Sequence, residues 1–166
     1  MRANALTNQS SGVLSGLSEA DAVAVIPAGT TVVSGDYLEV IPLSALLDAG
    51  VTGAMDVSDG LVADLAKLCR ASGVGATIDS SRVPLASALH ESFTEEEALL
   101  CALGGGEDYE VLFTGPPDAI ERAVAAIDGA ALIGEIVENT PGRVVVLGAD
   151  GNELDVSDAG WEHLST

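Results

Sequence analysis

The sequence predicts an α/β (α+β) protein, a mixed sheet with helices on one face, preceded by a short β-rich segment. Three observations carry this. From about residue 44, short β-branched and aliphatic runs alternate with stretches of helical period. Glycine and proline, 19 and 6 in 166 residues, mark most of the boundaries between them. Hydrophobic residues make up 48% but aromatics only 3%, so the core is built from Ala, Val, Leu and Ile.

Each element follows in order. Residues 22–26, 31–34 and 37–41 are short β-rich runs separated by the turns Pro27-Ala28-Gly29 and Ser34-Gly35-Asp36. The first 43 residues are too few to bury much core alone. They are read as a partial β-rich domain, 1–43, ahead of the main α/β domain, 46–166. Residues 54–57 form a strand that ends at Ser58-Asp59-Gly60. The helix after it places Leu61, Leu65, Leu68 and Cys69 on one face, with Asp64, Lys67 and Arg70 off it. Ser58 or Asp59 caps its start and Gly73 stops it. Residues 76–79 are a strand, and Pro84 opens a helical turn through His90. Thr94-Glu95-Glu96-Glu97 places acids in the first turn of a helix ending at Leu103. Gly104-Gly105-Gly106 breaks the chain. Residues 109–114 are a strand, and Pro116-Pro117 opens a helix to about Ile127. Strands are expected at 130–136 and 143–147, with a turn at Ala149-Asp150-Gly151-Asn152.

The charge narrows function. There are 26 acidic residues against 6 basic ones, a net charge of -20, and Lys67 is the only lysine. Such a surface repels nucleic acid and anionic membranes, so neither is an expected partner. An anionic ligand would need cations to mediate its contact. So few lysines also suit a salt-rich cytoplasm. No apolar run reaches the ~18 residues of a membrane helix. The N-terminus shows no secretory h-region. Cys69 and Cys101 fit neither a disulfide framework nor a zinc site, and read as reduced, buried thiols in a cytoplasmic protein.

Two constellations could carry chemistry. In Met55-Asp56-Val57-Ser58-Asp59-Gly60-Leu61 a strand delivers Asp56 to its end, and Ser58 and Asp59 stand where a helix begins. Backbone N–H groups there can hold a phosphate oxygen, and Ser58 adds a hydroxyl. Asp56 and Asp59 are hard oxygen donors suited to Mg²⁺, which takes one or two carboxylates plus substrate phosphates. The same spacing also suits an ordinary helix cap with two solvated acids. In Gly104-Gly105-Gly106-Glu107-Asp108-Tyr109-Glu110 the glycines permit close approach of backbone to ligand. They equally suit a flexible connector, and the lysine and Ser/Thr of a P-loop are missing. Both motifs border strands, so the fold could bring them to one rim. His90 and His163 have no zinc-binding context, and Ser10-Ser11-Gly12 has no partnering His/Asp pattern for a nucleophilic serine. Trp161 either pins the C-terminal tail or covers an aromatic ring.

At these residues the chain resembles the thiamine-monophosphate kinases, over roughly residues 46–166. The likeness runs through Ala54-Met55-Asp56-Val57-Ser58-Asp59-Gly60-Leu61, Ala71-Ser72-Gly73-Val74-Gly75-Ala76, Gly105-Gly106-Glu107-Asp108-Tyr109-Glu110, Ile133-Gly134-Glu135-Ile136 and Gly160-Trp161-Glu162-His163. It implies a fold like the C-terminal domain of aminoimidazole-ribonucleotide synthetase. It implies transfer of the γ-phosphate of ATP to thiamine monophosphate, assisted by Mg²⁺. By motif, Asp56 and Asp59 are implied as Mg²⁺ ligands, Ser58 as an ATP contact, and Glu107 and Trp161 as substrate contacts. Family members are about twice as long, so a homodimer or a separate kinase N-terminal half is the implied partner. The alternatives are a non-catalytic binding module for Mg-nucleotide or thiamine phosphate, and a molybdenum-cofactor-related interaction protein. The latter comes from residues 3–43, which resemble the C-terminal domain of molybdopterin molybdenumtransferase through Asn8-Gln9-Ser10-Ser11-Gly12-Val13-Leu14-Ser15, Ala20-Asp21-Ala22-Val23-Ala24-Val25-Ile26-Pro27 and Ser34-Gly35-Asp36-Tyr37-Leu38-Glu39-Val40.

Overall fold

A computed structural model describes residues 22–25, 39–106 and 110–156. In chain order its elements are β1 (Ala22–Val25), β2 (Glu39–Pro42), α1 (Leu43–Ala49), β3 (Gly53–Val57), α2 (Leu61–Ser72), β4 (Gly75–Asp79), a 3₁₀ turn (Ser80–Arg82), α3 (Ser87–Ser92), α4 (Glu95–Gly104), β5 (Glu110–Thr114), α5 (Pro117–Ala126), β6 (Gly134–Val137) and β7 (Val144–Leu147). The strand expected at 31–34 lies outside the described residues. The chain divides into two compact units, Met1–Gly53 with Gly115–Ala130, and Ala54–Thr114 with Ala131–Thr166.

In the first unit β1 and β2 pair antiparallel, from Ala22 opposite Pro42 to Val25 opposite Glu39. The helix α1, which no pattern in the sequence announced, follows β2 directly and packs against α5. Both helices bury small or aliphatic residues, Leu46 and Ala49 on α1 and Ala119 and Ala123 on α5. The α1 carbonyl of Ala49 accepts two hydrogen bonds from the Arg122 guanidinium, from Nε at 3.2 Å and Nη2 at 2.9 Å. A helix end leaves its last carbonyls without intrahelical partners, and a cation is the favoured one there.

The second unit holds the main core. β4 is the middle strand of a three-stranded mixed sheet, β6-β4-β7. It pairs antiparallel with β6, Gly75 opposite Val137, and parallel with β7, Ala76 opposite Val144. Ala76 and Ile78 alternate inward along β4, as the two-residue period of a strand requires. Against them pack Leu61, Leu65 and Cys69 of α2, with Val57, Val83, Leu103, Leu112 and Val146 completing the cluster. Gly73 ends α2 in the left-handed conformation, its N–H bonded to the Arg70 carbonyl, and Val74 N–H reaches the Cys69 carbonyl. α4 begins with the expected capping box: Glu97 N–H donates to Thr94 Oγ1, and Thr94 N–H donates to the Glu97 carboxylate. A second small sheet joins β3 to β5.

Four expectations need correction. The strand expected at 130–136 begins only at Gly134 and ends at Val137. The helix expected from Pro84 begins at Ser87, because residues up to the Ala86 cap stay extended. Cys69 is buried, but Cys101 is exposed, since the face of α4 turned inward carries Ala98 and Leu103. Asp64, expected off the apolar face of α2, is 1% exposed.

Candidate functional site

The strand β3 ends on the buried Val57, and the chain then turns through Ser58, Asp59 and Gly60 into α2. Asp56, Ser58 and Asp59 are all half-buried around this turn. Gly60 is the helix cap, and neither Ser58 nor Asp59 supplies a side-chain bond to it. The cap is reversed. Ser58 N–H donates to Asp64 Oδ2 at 2.8 Å, and Asp59 N–H donates to the same oxygen at 2.9 Å. Asp64 Oδ1 accepts from Lys67 Nζ at 2.7 Å, and Lys67 also pairs with the Asp59 carboxylate.

This overturns one expectation. The two amides thought free to hold a phosphate oxygen are already bonded to a carboxylate of the same chain. Asp56, Ser58 and Asp59 stay half-buried at the turn, the Asp59 carboxylate paired with Lys67.

The electrostatics follow from the geometry. Burial pushes the Asp64 carboxyl up. The Lys67 hydrogen bond, the two amides and the Lys67 charge outweigh it and hold the group below the usual carboxylate range. For Lys67 burial acts downward, and its bonds to Asp59 and Asp64 raise it above the ordinary lysine value. Burial alone raises the Cys69 thiol, as suits an inert core residue.

The glycine motif meets this turn. Gly60 has φ 112° and ψ 146°, and a Cβ built on it would stand 2.9 Å from the Gly104 carbonyl oxygen and 3.1 Å from its Cα. Backbone lies against backbone, which only glycine at position 60 permits. The fold thus brings the Asp56–Gly60 turn and the start of the glycine run to one place. Of the other candidate residues, Glu107 and Trp161 lie outside the described residues.

Asp56 and Asp59 offer a cation two hard carboxylate donors. Among the described residues no group of three or more His, Cys, Asp or Glu is placed to hold a metal ion. Two carboxylates on one turn therefore do not make a closed cage. They match the sparse protein donor set of Mg²⁺, which keeps waters and binds substrate phosphates. Asp59 shares its carboxylate with Lys67, so Asp56 is the less encumbered donor. Sequence reasoning missed Asp64, although a signal was present: it lies three residues after Leu61, on the same stripe as Leu65 and Leu68.

The chain is similar to known proteins of one family. The family described as AIR synthase related protein, C-terminal domain, matches residues 8–147. A thiamine-monophosphate kinase of Halobacterium salinarum is 36% identical over 150 residues, covering 87% of this chain and 49% of that protein. The thiamine-monophosphate kinase of Escherichia coli K12 is 35% identical over 117 residues, covering 68% of this chain and 35% of that one. The chain thus spans half or less of the length of these relatives. Among solved structures, one described as AaThiL complexed with AMPPCP and TMP superposes with a TM-score of 0.53 at 36% identity, over 69% of this chain and 34% of that one. A thiamine-monophosphate kinase from Stenotrophomonas maltophilia gives 0.53 at 36%, over 63% and 33%.

The likeness of residues 3–43 to molybdopterin molybdenumtransferase is not supported. The family match starts at residue 8 and takes in most of that segment. Short aliphatic runs between Gly and Pro turns recur in many small β units, so they discriminate poorly. With the mixed sheet, the two motifs meeting at Gly60 and Gly104, and a match over residues 8–147, the chain belongs to the AIR synthase related family and carries its C-terminal domain.

Proposed function

We propose that the chain acts as the C-terminal part of a thiamine-monophosphate kinase, transferring the γ-phosphate of ATP to thiamine monophosphate to give thiamine diphosphate. The observation that carries this reading is the likeness to kinases of that name across most of the chain. One related structure is described with AMPPCP and TMP, a nucleotide analogue and the expected acceptor, bound together.

In this reading Asp56 and Asp59 hold Mg²⁺, Ser58 contacts ATP, and Glu107 and Trp161 contact the thiamine phosphate. Bound Mg²⁺ supplies charge neutralisation for the phosphates, which a protein of charge -20 cannot supply itself. The acceptor is a phosphate oxygen that is already anionic, so no side chain need remove a proton from it. The residues of this chain position and screen, and none acts as a nucleophile. A cytoplasmic setting belongs to the same reading. Among the described residues no helix is long and apolar enough to cross a membrane.

A second reading is a non-catalytic module that binds Mg-nucleotide or thiamine phosphate. It needs only the half-buried Asp56, Ser58 and Asp59 of the turn to hold a ligand, and no group that transfers the phosphate. One experiment separates the two: thiamine diphosphate formation by the purified chain with ATP, Mg²⁺ and thiamine monophosphate. The same assay is repeated with a kinase N-terminal half added in trans, and the oligomeric state is measured alongside. Phosphoryl transfer takes its rate from groups placed around the γ-phosphate, and losing one such contact costs ~10²- to 10³-fold. The expected result is nucleotide binding with slow or no turnover alone, and turnover restored in trans. Binding without turnover in either mixture selects the binding module. No binding of either ligand refutes both.

A further inference from the structure

Asp64 is charged, yet it is 1% exposed, and the proposed contacts to metal and ATP make no use of it. Taking a carboxylate out of water is strongly unfavourable unless its oxygens are well bonded. Here both are. Oδ2 takes the consecutive N–H groups of Ser58 and Asp59, and Oδ1 takes Lys67 Nζ. A buried carboxylate receiving two successive amides occupies the place of an anion held in a backbone nest. Its effect is to fix the two peptide planes on either side of Ser58. Those planes decide where the Ser58 hydroxyl and the Asp59 carboxylate point. Lys67 adds a second restraint, bridging Asp64 to the Asp59 side chain itself. Gly60 then seats the turn on Gly104 from the other side.

We propose that Asp64 is the positioning residue of the site: its buried carboxylate holds the Ser58–Asp59 turn in the geometry that receives the metal–nucleotide complex. The ligand half of this inference rests on the kinase reading; the turn half does not. Asp64 touches no ligand. It acts through Ser58 and Asp59, as the outer partners of metal ligands do, whose loss costs ~10- to 100-fold in metal affinity.

The test uses the full chain and two measurements. Amide hydrogen exchange of the unliganded wild type should show Ser58 and Asp59 protected, and protection should persist when Mg²⁺–ATP is added, because these amides face Asp64 and not the phosphates. Unprotected amides overturn the proposal, and so does a ligand-dependent switch in their protection. Asp64→Asn keeps the shape but presents an amide nitrogen to Lys67 or to the turn. In that variant Ser58 and Asp59 should lose protection while Cys69 and Ile78 keep theirs. Affinity for Mn²⁺–ATP, read by calorimetry, should fall ~10-fold or more. Protection lost across Cys69 and Ile78 as well makes Asp64 a general support of the fold and overturns the proposal. Local loss with unchanged affinity overturns it too. A wild type that binds no Mn²⁺–ATP refutes the kinase reading instead, and the exchange data still decide what Asp64 does for the turn.

Discussion

Replacing Gly60 by alanine probes the junction on which the site is built. Two costs add. Gly60 sits at φ 112° and ψ 146°, a region open to glycine alone, and forcing another residue there costs ~1–3 kcal/mol. The new Cβ would also stand 2.9 Å from the Gly104 oxygen and 3.0 Å from its carbonyl carbon. Those atoms are backbone at the end of α4 and cannot swing away as a side chain would. Inserting a methyl group into such a contact costs a further ~1–3 kcal/mol. The sum is ~2–6 kcal/mol, against the ~5–15 kcal/mol that holds a typical domain together. Gly73→Ala is the control. Gly73 also has positive φ, 71°, but a Cβ there meets nothing within 4 Å. It should lose only the left-handed strain of ~1–2 kcal/mol. Urea unfolding followed by far-UV circular dichroism measures both variants under one condition. If Gly60→Ala comes within about 1 kcal/mol of Gly73→Ala, the close approach of the two turns carries no energy and the reasoning fails.

Three further outcomes are expected. Arg122→Ala leaves the Ala49 carbonyl without its charged donor and should cost ~1.5–3 kcal/mol; an urea midpoint equal to wild type would show water serving as well. Glu97 is held below its usual pKa by the Thr94 N–H first and the Thr94 hydroxyl second. Its support for α4 is therefore present above pH 4.5 and is lost as pH falls through the lowered value, so the melting gap between wild type and Glu97→Gln should close between pH 7 and pH 3. Raising potassium chloride from 0.1 to 1 M shortens the Debye length from ~10 to ~3 Å and should raise the melting temperature of a chain carrying -20 charges; a flat or falling melting temperature counts against self-repulsion as a destabilising force.

The sequence by itself determined several local elements and the residue types gathered at the turn between β3 and α2. Periodicity placed α2 and Gly73 ended it, though Gly60 and not Ser58 or Asp59 caps its start; the Thr94–Glu97 box opened α4, and Pro117 opened α5. These are short-range effects, settled by residues within one turn of each other. Asp56, Ser58 and Asp59 were legible as a hard-oxygen group for the same reason. Only the tertiary structure decided what those residues face. The seven-residue run Leu43–Ala49 is helical because α5 packs on it and Arg122, 73 residues on in sequence, binds its last carbonyl. Asp64 read as a surface acid because charge ordinarily stays in water. It is buried because the turn before α2 folds back to give it two amides and because Lys67 reaches its other oxygen. The meeting of Gly60 with Gly104 joins two motifs more than forty residues apart, and no local pattern encodes a contact that depends on how α2 and α4 pack.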